Sequence, residues 1–120
     1  MKESILCKTS FDFALMIVQY CKFIMNNQKE YILTKQLVRS GTSIGANIRE
    51  AQYASSRADF TAKMHIALKE CNETDYWLSL LHSAGYGNEN HNILINKNIE
   101  LRKMLTATIN TTKKNNSVKK

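Results

Sequence analysis

From Phe60 to Leu81 one stripe of apolar and small residues recurs at strictly alternating spacings of four and three: Phe60, Met64, Ala67, Cys71, Thr74, Leu78 and Leu81. That 3.5-residue period puts the whole stripe on one side of an α-helix roughly 30 Å long, and such a stripe needs other helices to cover it. Ser56 with Asp59 forms a capping box in front of it, where each side chain can satisfy a free amide of the first turn. Ile66, Trp77, Leu80 and Ala84 make a flanking stripe, so this helix buries more than a narrow seam. Gly85 or Gly87 can close it in the left-handed conformation.

The rest of the chain offers matching partners. It has no proline and only four glycines in 120 residues, and a chain so poor in turn formers favours long helices over sheets. Thr9 with Asp12 reads as a first start signal, opening a helix from about Ser10 to Asn26 with the stripe Phe11, Ala14, Val18, Cys21 and Met25. Asn27 with Glu30 reads as a second, followed by Tyr31, Leu37, Gly41, Ile44, Ile48 and Ala51 in a helix to about Tyr53. Gly41 and Gly45 weaken its middle, since glycine costs about 1 kcal/mol there relative to alanine. They could break the helix. The stripe keeps its phase across them, however, so one kinked helix is expected, with the glycines permitting a close helix crossing. Leu94, Asn98, Leu101, Leu105 and Thr108 mark a fourth helix, with Ile95, Ile99 and Ile109 beside them. The chain from Thr111 on is expected to fray.

Connections this short place successive helices antiparallel. The sequence therefore predicts an all-α, up-down-up-down four-helix bundle over residues 1–112, followed by a basic tail over 113–120.

Charge bounds the partners. The net charge is +7, from 17 Lys and Arg against 10 Asp and Glu. Four of the lysines, Lys113, Lys114, Lys119 and Lys120, lie in the tail, so the body is only mildly basic. Such a balance suits nucleic acid or another polyanion without specifying one. Asp12, Gln19 and Lys22 interrupt the most apolar early stretch, which argues against a signal core or a membrane span. Three cysteines without paired short spacing suit free thiols in a reducing cytoplasm.

The string Gln36-Leu37-Val38-Arg39-Ser40-Gly41-Thr42-Ser43-Ile44-Gly45-Ala46-Asn47-Ile48-Arg49-Glu50 resembles the signature of bacterial four-helix-bundle proteins encoded in intervening sequences of 23S ribosomal RNA genes. A second block also matches: Asp59-Phe60, Ile66-Ala67-Leu68-Lys69-Glu70, Glu73-Thr74 and Tyr76-Trp77-Leu78. The likeness covers about residues 10 to 110. It implies an up-and-down bundle and a homo-oligomer, a ring of five. It implies no settled activity. The accessory proteins of diversity-generating retroelements are similar bundles, basic pentamers that partner a reverse transcriptase and nucleic acid. This kinship implies RNA or DNA contact, with a partner enzyme as a further expectation.

Arg39, Glu50, Glu70 and Glu73 are the polar residues of the family pattern, and two readings stand. They form an inter-helix ion-pair network that fixes register, with Arg39 or Arg49 as the cation. Alternatively, they belong to a polyanion-binding or subunit-contact cluster. Lys35, Arg39, Arg49, Arg57 and Lys63 are the candidate nucleic-acid contacts, to be weighed against an ordinary solvated surface. Lys35 and Arg39 share a helix face, and a ring would repeat the patch and add weak contacts together. No recognised nucleic-acid motif supports base-specific reading.

No catalytic site, cofactor or metal is expected. Glu-x-x-His is missing, His65, His82 and His91 are scattered, and no phosphate loop, dinucleotide fingerprint or nucleophile elbow occurs. Cys21 and Cys71 sit on core stripes and Cys7 precedes the first predicted helix. The sequence thus predicts a non-enzymatic, nucleic-acid-associated scaffold, or else an adaptor ring that binds only protein.

Overall fold

A computed structural model describes residues 4–118, with side chains described to residue 114. It contains four helices: α1 (Ile5–Gln28), α2 (Ile32–Ala51), α3 (Arg57–Ser83) and α4 (His91–Val118). Each packs on its sequence neighbours and α1 closes on α4, so the helices run in order around a rod of 54 × 26 × 21 Å. Connections at 29–31, 52–56 and 84–90 turn each helix back on the one before. Among the described residues there is no strand, and no helix is long and apolar enough to cross a membrane.

α3 forms as its sequence predicts. Ser56 Oγ accepts from the Asp59 amide at 3.1 Å, and the Asp59 carboxylate accepts from the Ser55 amide at 3.2 Å. Met64, Ala67, Cys71, Thr74, Leu78 and Leu81 are buried, and Phe60 is half-buried at the entrance. The flanking stripe is only partly covered: Trp77 and Leu80 are half-buried, while Ile66 and Ala84 are exposed. Gly85 follows the helix with φ 92°.

α1 departs from expectation at both its start and its face. Ser4 caps it, accepting from the Cys7 amide at 3.0 Å. The Thr9–Asp12 pair therefore lies inside the helix, and Asp12 bonds Lys8 at 3.2 Å instead. The buried stripe is Leu6, Ser10, Phe13, Ile17, Tyr20, Cys21 and Ile24. It lies one residue, or about 100°, away from the predicted stripe. Of the predicted residues only Cys21 is buried; Ala14, Val18 and Met25 are half-buried and Phe11 is exposed. Interlocking with α2 explains the choice. A Cβ on Gly41 would stand 2.8 Å from Ile17 Cγ2, and one on Gly45 would stand 3.3 Å from Ser10 Oγ. The two glycines thus let α1 approach closely along its Ser10–Ile17 side, as the spacing predicts.

α2 is one unbroken helix across both glycines, ending at Ala51. Its start needs no Asn27, which belongs to α1. The Glu30 carboxylate instead accepts from the amides of Ile32, Leu33 and Thr34 at 3.2, 3.0 and 2.8 Å. Burial alone would raise the Glu30 pKa, but those bonds and one from the Thr34 hydroxyl hold it below the ordinary carboxylate value. Tyr31, expected in the core, is exposed at the turn.

α4 buries Leu94, Asn98, Leu101, Leu105 and Ile109, and Asn98 Nδ2 donates to the Cys71 carbonyl at 2.8 Å. The helix continues past Thr111 to Val118, since no proline or glycine interrupts it there. Lys113 and Lys114 are thus helical residues, whereas Lys119 and Lys120 lie outside the described residues.

Candidate functional site

The polar residues of the α2 and α3 signatures meet along one seam. At its base the Thr74 hydroxyl donates to Ser40 Oγ at 3.0 Å, and both residues are fully buried. Above it Arg39 ion-pairs with Glu70 at 3.5 Å and with Glu73. Glu73 Oε1 also accepts from Trp77 Nε1 at 3.2 Å, and Arg39 Nε donates to Gln36 at 3.3 Å. Burial pushes the Glu70 pKa above the ordinary value, Arg39 pulls it back, and the neighbouring Glu73 adds to the rise. A single guanidinium thus holds two carboxylates of the next helix, a geometry that suits register better than catalysis.

Glu50 stands apart from this network and pairs with Lys63 at 3.1 Å. Arg49 is not the seam's cation either; it lies over the Phe11 ring, 5.8 Å from its centroid. Of the five basic candidates, Arg39 and Lys63 therefore hold carboxylates of their own chain, Arg49 covers an aromatic ring, and Lys35 and Arg57 are exposed.

A feature the sequence left unassigned lies on the other side of α2. Cys7, Phe11 and Ala14 of α1 face Thr42, Gly45, Ala46, Arg49 and Glu50 of α2 across a mostly apolar groove of about 420 Å³. Phe11 is 55 % exposed and Leu15 50 %. The start of the stripe predicted as the α1 core, at Phe11 and Ala14, thus lines a second apolar face beside α2, with exposed Leu15 next to it. Two apolar stripes on one helix were the available signal.

The remaining reactive groups are otherwise engaged. Burial pushes the thiols of Cys21 and Cys71 up to about 12, which leaves them protonated and poorly nucleophilic. His82 and His91 stack with centroids 4.1 Å apart, and no group of three metal-ligating side chains occurs among the described residues.

A family model described as 23S rRNA-intervening sequence protein matches residues 2–107. A crystal structure from Bacteroides thetaiotaomicron, described as a protein with unknown function from the S23 ribosomal protein family, is 49 % identical to this chain. The match covers 88 % of this chain and 98 % of that one, with a TM-score of 0.85. A comparison with curated proteins finds no match.

Proposed function

The chain belongs to the 23S rRNA-intervening sequence protein family, and on that premise we propose that it is a non-catalytic, homo-oligomeric helical scaffold that associates with nucleic acid. The observation behind self-association is the second apolar face of α1. Exposed aromatic and aliphatic residues beside a concave, mostly apolar groove, with Arg49 and Glu50 at its α2 side, are what a subunit interface requires. Assembly into a ring of five follows the family resemblance. In such a ring the α1–α2 face of each copy is covered, and the charge of +7 per chain is repeated around the assembly. Nucleic-acid association rests on that repeated charge, since weak phosphate contacts on linked copies reinforce one another. The α2–α3 seam serves as a register lock that keeps the interface face in shape.

A protein-binding adaptor that recruits a partner enzyme is the second reading, favoured by the apolar character of the same groove. The two separate by salt. Anisotropy titrations of a labelled RNA hairpin and a labelled DNA duplex at about 50 and 200 mM salt should show binding that weakens steeply as salt rises. Binding of neither probe at low salt would remove the nucleic-acid reading and leave the adaptor. Mass in solution should be a multiple of the 13.8 kDa chain, five-fold for the ring.

A further inference from the structure

The candidate cations on α2 and α3 are poor phosphate ligands where they already serve their own chain, so the question becomes which cations remain available. α4 is the most basic helix. It carries Lys97, Arg102, Lys103, Lys113 and Lys114 against the single carboxylate of Glu100. Among the described residues none of these five cations forms an ion pair. Arg102 and Lys103 also line a groove of about 470 Å³ between α3 and α4. Its other polar walls are Asn72, Thr106 and Asn110, with Leu68 on the α3 side.

We infer that this α3–α4 groove is a track for the phosphate backbone of a nucleic acid. The inference rests on the nucleic-acid reading above and moves the contact to residues outside the family signature. Two unpaired cations supply the charge and the amides of Asn72 and Asn110 supply neutral donors for phosphate oxygens, while the Thr106 hydroxyl donates to the Arg102 carbonyl at 2.9 Å. No aromatic ring lines the groove, so it offers no stacking platform and suits a sequence-tolerant grip on the backbone. The stripe of Lys103, Ala107 and Asn110 continues at helical spacing to Lys114, as that of Arg102 and Thr106 does to Lys113. The basic line is therefore roughly 16 Å long, a span of about five phosphates of one strand. The helices run in order around the bundle, so this groove lies on the side away from the α1–α2 groove.

The test uses the full chain, the RNA hairpin and DNA duplex named above, and the same two salt concentrations. Arg102→Gln with Lys103→Gln should lower affinity for the bound probe roughly tenfold or more at low salt and flatten the log–log salt slope by about two. Thr106→Glu, an exposed change that places a negative charge in the groove, should weaken binding similarly and serves if the double variant melts early. Lys22→Gln, an exposed cation of α1 outside the groove, should leave both affinity and slope nearly unchanged. Folded groove variants that bind like the unmodified protein would overturn the track while leaving nucleic-acid association intact. Loss confined to a Lys113→Gln, Lys114→Gln variant would do the same. If the unmodified protein binds neither probe, the broader reading fails and the track fails with it.

Discussion

α1 and α3 bury comparable stripes, yet only α3 shows in its sequence which face turns inward. α3 has one apolar line in strict four-three alternation, with only a sparser flanking stripe of Ile66, Trp77, Leu80 and Ala84 beside it, so one orientation satisfies it. α1 has two lines about 100° apart, and its buried one contains Ser10 while its outer one contains Phe11 and Val18. Hydrophobic period alone cannot rank two such lines. What ranks them is complementarity with another helix, the glycines of α2 receiving Ile17 and Ser10. The difference teaches that an apolar stripe left over after a bundle closes is a surface with a use.

The sharpest way to break this comparison is to truncate the two phenylalanines of α1. Phe13→Ala should cost about 4 kcal/mol, comparable to Leu78→Ala in α3 at about 3 kcal/mol, because each leaves a cavity in a closed core. Phe11→Ala should change the stability of the isolated chain by less than about 0.5 kcal/mol. Denaturant midpoints measure all three, and equal losses from Phe11 and Phe13 would mean that the faces are wrongly assigned.

Next comes the seam that fixes α3 against α2. Arg39→Ala should cost about 1–2 kcal/mol at neutral pH, because it leaves Glu70, mostly buried, beside Glu73 without a cation. The loss should shrink as pH falls and Glu70, whose pKa burial already raises, becomes protonated. A double-mutant cycle with Glu73→Gln should return a coupling of at least about 0.5 kcal/mol; additivity would show that the pair does not lock register.

The helix starts repeat the contrast on a smaller scale. Glu30→Gln should cost about 1 kcal/mol. Glu30 titrates lower in the folded chain than in the unfolded one, so its contribution is present above the ordinary carboxylate value of 4.5 and lost as pH falls through the folded value. Thermal melts between pH 3 and 7 should therefore show a smaller acid-induced loss in Glu30→Gln than in the unmodified protein.

The smallest effect belongs to the start of α4, where His91 stacks on His82 of α3. Burial, with His82 stacked against it, lowers the His91 pKa, while Asp75 opposes the shift. Because the folded chain resists this protonation, stability should fall by less than about 1 kcal/mol as pH drops below the imidazole's ordinary 6.5. His91→Asn should remove that dependence, as measured by melts across pH 5 to 8.

These contrasts mark how far the sequence could be read. The four helices, the α3 cap and the core lines of α2, α3 and most of α4 follow from local pattern, because each has one dominant apolar side; the end of α4 does not, since it has no stop signal. The Arg39–Glu70–Glu73 contact was readable as a pairing of signature residues, but the removal of Glu50 to Lys63 was not, since it depends on where two helices cross. The start of α2 escaped because Glu30 caps through its own carboxylate, without the expected Asn27. The α3–α4 groove escaped for a related reason: Arg102 and Lys103 are neighbours on α4, but only packing brings Leu68 and Asn72 of α3 beside them to make a groove.

Solution mass, measured for the unmodified chain and for Phe11→Glu, tests the central claim that the outer face of α1 is a subunit interface. The account predicts a multiple of 13.8 kDa for the unmodified chain and a helical monomer for the variant. A monomeric unmodified chain, or a variant that keeps the full oligomer mass, would contradict it.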